Sequence, residues 1–132
     1  MSDLKMIDPL GGIYKQIGSE EPFYRLVDHF YAGVEADPIL RPLYPKELAE
    51  AKRKLALFLI YRFGGEETYV EERGHPRMRG RHMPFKIGRK ERDAWMTHMT
   101  AALDKTPEFA PHRDVLFQFF DGFATFMINQ PQ

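Results

Sequence analysis

The chain has 132 residues, with 19 Lys plus Arg balanced by 19 Asp plus Glu. That zero net charge leaves no global field to recruit polyanions or membranes. It has no cysteine, which excludes disulfides, thiolate metal sites and cysteine catalysis together. No apolar run approaches the ~20 residues of a membrane span, and the N-terminus lacks a signal peptide's apolar stretch. The expectation is one cytoplasmic domain over 1–132, with 1–6 a polar N-terminal extension. Against this plain background stand 11 Phe, 6 Tyr and 1 Trp. So much ring surface in so short a chain either fills a tight core or lines a large cavity.

Gly11-Gly12 and Gly18-Ser19 break residues 6–19 into short pieces. Ser19 is a candidate N-cap for a helix over 20–36, with Glu20 and Glu21 suited to its N-terminus and Pro22 to its first turn. Phe23, Leu26, Val27, Phe30 and Val34 recur along it at helical spacing, with Tyr31 beside them. Asp37-Pro38 opens a short turn that ends near Tyr44-Pro45. The next helix covers 46–63, with Leu48, Ala51, Leu55, Phe58, Leu59 and Arg62 on one stripe, and Gly64-Gly65 stops it. Small Ala51 leaves room on an otherwise bulky face. Residues 66–73 read as a Glu-rich polar connection.

Residues 74–87 are punctuated by Gly74, Pro76, Gly80 and Pro84, so no single long helix can run through them. They also carry Met83, Phe85 and Ile87, apolar side chains expected to be buried. His82 therefore sits on a short element pinned at both ends. Gly88 closes the segment, and a helix follows over 89–105 with Trp95, Met99, Ala102 and Leu103 inward, until Thr106-Pro107 breaks it. Residues 111–129 form a last helix whose wide apolar face holds Val115, Leu116, Phe119, Phe120, Phe123, Phe126 and Met127. No stretch alternates long enough to argue a strand. The fold class is all-α.

The five histidines stand at 29, 75, 82, 98 and 112, none three or four apart. A zinc or di-iron site built from protein ligands alone is not expected. One histidine suffices only where a cofactor brings its other ligands, as a porphyrin does. The alternative for His82 is an ordinary histidine bonded to backbone. His75, beside Pro76 in a more polar turn, is the weaker ligand candidate. Eight cations and one acid, Glu91, fall within 73–92. They read as a solvated face, as phosphate contacts to nucleic acid, or as partners for cofactor carboxylates; the neutral chain favours the readings without nucleic acid.

These residues resemble the truncated haemoglobins, specifically group II. The resemblance covers residues 7–129. It is carried by Gly11-Gly12, Phe-Tyr-Ala at 30–32, Leu-Tyr-Pro at 43–45 and Gly-Gly at 64–65. Its most specific blocks are Arg-Gly-His-Pro-Arg at 73–77, Arg-His-x-Pro-Phe at 81–85 and Glu-Arg-Asp-Ala-Trp at 91–95. The resemblance implies a shortened globin, a two-over-two helical sandwich around haem b, with His82 as proximal iron ligand. It places Tyr31, Tyr44 and Trp95 on the distal side, and Ala51, Leu55 and Phe58 along that wall. Phe85 stands beside the ligand histidine, and Lys54 and Arg81 are the propionate candidates. The implied activity is reversible binding of oxygen, CO and nitric oxide, for storage or carriage. Rival readings are a haem enzyme that removes nitric oxide or peroxide, a haem-based sensor module, and a regulatory globin without haem. A reductase and a second copy of the chain stand as open partner alternatives.

Overall fold

The computed structural model describes residues 8–130; the expected N-terminal extension lies outside them. Among the described residues are seven α-helices: α1 (Ile13–Ile17), α2 (Glu21–Glu35), α3 (Ala49–Arg62), α4 (Thr68–Arg73), α5 (Met78–His82), α6 (Arg89–Asp104) and α7 (Arg113–Phe126). Two 3-10 segments, Arg41–Leu43 and Pro107–His112, precede α3 and α7. Among the described residues there is no strand, and no helix is long and apolar enough to cross a membrane.

The amphipathic stripe of α2 is wholly inward: Phe23, Leu26, Val27, Phe30, Tyr31 and Val34 are all buried. Its two sides meet α3 and α6, and α6 in turn packs on α7. The result is one helical pair over another, a two-over-two sandwich. Rings join the layers. Phe63, just past the end of α3, lies 5.6 Å from Phe119 of α7, and Phe58 of α3 lies 5.7 Å from Phe123. Phe23 meets Phe109 edge-on at 5.2 Å, a favoured aromatic geometry.

Element ends depart from the sequence reading in instructive ways. Ser19 does not cap α2; Glu20 holds the cap position and no side chain bonds the helix end. Pro22 in the first turn needs no donor partner, which eases that lack. The α3 helix begins at Ala49, three residues later than expected, because Arg41 gathers the carbonyls of Tyr44, Pro45 and Lys46 into a non-helical loop. Residues 56–60 are buried all round, since α3 touches α2, α4 and α7 on different sides; a single stripe could not describe it. Residues 66–73 are not a plain connection. They contain α4, which buries Tyr69.

Three apolar expectations fail. Met83 is 53% exposed and Phe126 62% exposed, one past the end of α5 and the other on the last turn of α7. Phe85 is also exposed, whereas Ile87 is buried.

The corner after α3 depends on a close backbone approach. Gly64 has φ +92°, and a Cβ there would lie 1.8 Å from the Gly11 carbonyl oxygen. Tyr14 N–H donates to Phe63 O at 2.9 Å in the same corner. Gly64→Ala therefore combines a left-handed penalty of about 1–2 kcal/mol with a clash that only backbone movement relieves, about 1–3 kcal/mol more. Gly18→Ala carries the first penalty alone, because φ is +96° but nothing lies within 4 Å. Chemical denaturation should show Gly64→Ala clearly the more damaging; equal losses would refute the close-approach argument.

Candidate functional site

A cavity of about 560 Å³ lies among α2, α3, α4, α5, α6 and α7, within the ~300–1,000 Å³ usual for small-molecule and cofactor pockets. The structure brings together on its wall Tyr31, Tyr44, Ala51, Lys54, Leu55, Arg81, His82, Phe85 and Trp95. Phe58 stands one ring behind. Tyr69 and Phe123, both wall residues, lie 5.5 and 5.7 Å from it and occupy the place expected for it.

His82 is half-buried at the end of α5. Its Nδ1 lies 2.6 Å from the Met78 carbonyl oxygen. A carbonyl only accepts, so Nδ1 must carry the proton; in the neutral ring Nε2 then keeps its lone pair. This is the second contact that orients metal-bound imidazoles. The backbone-bonded histidine and the ligand histidine are thus compatible descriptions of one side chain. Among the described residues no group of three or more His, Asp or Glu could hold a metal ion. A metal here needs a carrier that fills its other positions.

Tyr31, Tyr44 and Trp95 form one cluster. The Tyr31 and Tyr44 rings meet edge-on at 5.4 Å, and Phe30 links Tyr31 to Trp95 at 5.1 and 5.2 Å. Burial pushes the Tyr44 phenol up to about 12, against hydrogen bonds with Trp95 and Tyr31 that favour its ionised form. Burial and the neighbouring Tyr44 hold Tyr31 well above the usual phenol range. Both therefore remain neutral O–H groups at physiological pH. Their supports come from the turn between α2 and α3. Asp37 Oδ1 accepts the Ile39 N–H at 2.7 Å, and Asp37 Oδ2 lies 2.6 Å from His98 Nε2 on α6. Arg41 then fixes the loop carrying Tyr44 from below.

The cationic rim differs from expectation. Arg81 lines the cavity, but its guanidinium donates to the carbonyls of Arg73 at 2.8 Å, His75 at 3.3 Å and Pro76. Its role is to close the loop before α5. Arg73, one of the eight cations of the basic run but not one of the two propionate candidates, lines the cavity with its guanidinium carbon 5.8 Å from the Tyr69 ring centre. Its Nε is buried with no hydrogen-bond partner. A buried orphan donor is costly, and a carboxylate in the cavity would satisfy it. The residues therefore fit haem: an apolar slot, one histidine with an unprotonated Nε2, and cationic Arg73 and Lys54 for the propionates. Tyr69 escaped notice because four glutamates surround it. The available signal was Tyr69-Val70, two apolar residues inside a charged run.

The phenols can be titrated directly. With both folded values raised, the native state binds more protons than the unfolded chain, so stability should fall as pH climbs past about 10. At least Tyr31 and Tyr44 should stay un-ionised where ordinary phenols titrate, near pH 10. Trp95→Phe removes a bond that favours the Tyr44 phenolate and should move Tyr44 higher still. Full ionisation of all six tyrosines by about pH 11 in the native protein would contradict the buried cluster.

Comparison with known proteins agrees with this geometry. The model of the bacterial-like globins matches residues 12–129. Group 2 truncated hemoglobin YjbI of Bacillus subtilis (strain 168) is 40% identical over 119 residues, covering 90% of this chain and 89% of that protein. The hemoglobin of the thermophilic phototrophic bacterium Chloroflexus aurantiacus is 52% identical with a TM-score of 0.86, over 89% of this chain and 98% of that one. A truncated oxygen-avid haemoglobin from Bacillus subtilis superposes with a TM-score of 0.83 at 40% identity, over 89% of this chain and 98% of the other.

Proposed function

The chain belongs to the bacterial-like globin family and is a truncated haemoglobin of group II, and on that premise we propose that it holds haem b through His82 and retains oxygen. The observation carrying this reading is the His82 ring, whose Nδ1–H is engaged by Met78 O at 2.6 Å on the wall of a cavity that also presents Tyr31, Tyr44 and Trp95. Haem, when bound, supplies the iron at which a diatomic ligand is held. The chain has no cysteine for thioether links, so attachment rests on His82, apolar contact and the cationic rim.

The residues around the ligand do the rest. Leu55 and Phe123, packed against the core, exclude water. Tyr31 and Tyr44 hydroxyls and the Trp95 indole are neutral donors that cannot be lost by ionisation near neutral pH. A hydrogen bond to an acceptor bearing charge contributes about 1.5–3 kcal/mol, against about 1 for a neutral pair. Each ~1.4 kcal/mol slows release tenfold if association is unchanged. Oxygen draws more electron density than CO and gains more from the same donors. Several donors together favour slow oxygen release, which suits retention better than rapid delivery. An oxygen-avid relative supports this reading.

Two measurements test it. In His82→Ala the purified protein should lose most of its haem or its histidine-ligated ferrous spectrum, while His75→Ala should keep both; the reverse pattern would reassign the ligand. Trp95→Phe keeps the aromatic body and deletes the N–H. Stopped-flow should show oxygen release faster by roughly tenfold, with a smaller change for CO. Unchanged oxygen release would make Trp95 wall and not donor.

A further inference from the structure

The helix that carries His82 has no buried residue. Met78 packs against the core only in part, so hydrogen bonds have to supply much of what holds the helix. On its N-terminal side Arg81 collects the carbonyls of Arg73, His75 and Pro76. On its C-terminal side the chain end returns to meet it. Asn129 Nδ2 donates to Phe85 O at 2.8 Å and to His82 O at 3.3 Å. Its Oδ1 accepts the Ile87 N–H at 2.9 Å, and its own N–H donates to Ile87 O at 2.8 Å. From α5, three residues before His82, Arg79 donates to Phe126 O at 3.1 Å and Ile128 O at 3.3 Å. Its guanidinium carbon lies 5.9 Å from the Phe126 ring centre.

We infer that residues 126–129 form a strap that sets the orientation of His82, with Asn129 as a positioning residue for the iron ligand. The inference rests on His82 being that ligand. The segment between His82 and Ile87 has little else to fix it. Its own backbone makes the Phe85 N–H to His82 O bond at 2.9 Å, and Met83 and Phe85 are exposed. One primary amide ties both ends: two donors take the carbonyls of 82 and 85, and one acceptor takes the amide of 87. Aspartate matches the shape but could serve only the Ile87 N–H, and it would set a carboxylate against two carbonyl oxygens. Because the His82 carbonyl is itself a strap contact, loosening Asn129 frees the backbone beneath the ring.

The test compares wild type, Asn129→Ala, Asn129→Asp and His82→Gly as haem-loaded proteins. Resonance Raman of the ferrous form reads the iron–histidine stretch, and transfer to apomyoglobin reads haem loss. Asn129→Ala and Asn129→Asp should each shift or broaden the stretch and speed haem loss by roughly tenfold or more, the scale of two or three lost hydrogen bonds. The CO stretch, which senses Tyr31, Tyr44 and Trp95, should stay at its wild-type position. Should Asn129→Ala fail to fold, Asn129→Asp alone decides. A wild-type stretch and haem loss in a folded Asn129 variant would overturn the strap. If His82→Gly kept the stretch, the ligand assignment itself would fall, and the strap with it. Hydrogen exchange without haem adds an independent readout. The Ile87 amide should lose protection in both Asn129 variants, and unchanged protection would also overturn the inference.

Discussion

The bond from His82 Nδ1–H to the Met78 carbonyl is the constraint on which the site depends. It spans one turn of α5, so any distortion of that five-residue helix moves the imidazole. It also decides chemistry, because fixing the proton on Nδ1 leaves Nε2 basic and able to ligate. A carbonyl acceptor does this without adding charge to a slot lined mainly by apolar side chains. The wider structure serves that one geometry. Arg81 closes the loop before the helix, Arg79 and Asn129 bind the strap after it, and Glu91 accepts the Gly88 N–H at 2.8 Å to start α6 where the segment ends.

The distal cluster depends on a different device. Its three polar tips are supplied by α2, the following loop and α6, elements that must hold their relative positions within a fraction of an ångström to share one ligand. The Phe30 ring between Tyr31 and Trp95, and the Asp37–His98 contact between the turn and α6, supply that rigidity. The His98 hydrogen bond is also the main reason the Asp37 carboxyl lies below its ordinary range, and the charged carboxylate is what the Ile39 N–H caps. The 11 Phe of the chain thus do both things the composition allowed. Phe23, Phe63 and Phe109 fill the core, while Phe85 and Phe123 line the slot.

Local signals made most of the fold legible. Helical periodicity marked α2, α6 and α7, and glycine pairs marked the corners at 11–12 and 64–65. The distal residues Tyr31, Tyr44 and Trp95 came from the resemblance to the truncated haemoglobins that the blocks at 30–32, 43–45, 81–85 and 91–95 carry. What periodicity could not show were contacts between distant segments. Phe58 sits on the expected helix face, yet Tyr69, from a helix hidden in a glutamate run, comes between it and the slot. Ser19 looked like a cap, but proline in the first turn of α2 removed part of the need. Asn129 carried no signal at all, since its partners lie 42 to 47 residues away. Met83, Phe85 and Phe126 were misjudged for a related reason. Hydrophobicity predicts burial only where another element is present to cover the side chain.

The basic run at 73–92 shows why a composition argument about charge needs geometry. Short helices end in carbonyls with no partner within the helix, and α4 and α5 are six and five residues long. Nearly all their polar backbone is terminal. A guanidinium offers five donors in a rigid fork, so one arginine can satisfy two or three such carbonyls. Arg81 takes the Arg73 carbonyl at the end of α4 with those of His75 and Pro76 in the loop after it, Arg79 takes two carbonyls at the end of α7, and Arg41 gathers loop carbonyls before α3. Arg92 pairs with Asp121 and bonds Thr125, tying α6 to α7. Arg73 alone among these five has a buried nitrogen without a partner, and it faces the slot. Lysine, with a compact ammonium on a flexible stem, could replace the charge at these positions but not the geometry. Within the run Arg79 and Arg81 staple backbone and Arg92 pairs with side chains of α7, while Arg73 on the cavity wall keeps a buried donor without a partner.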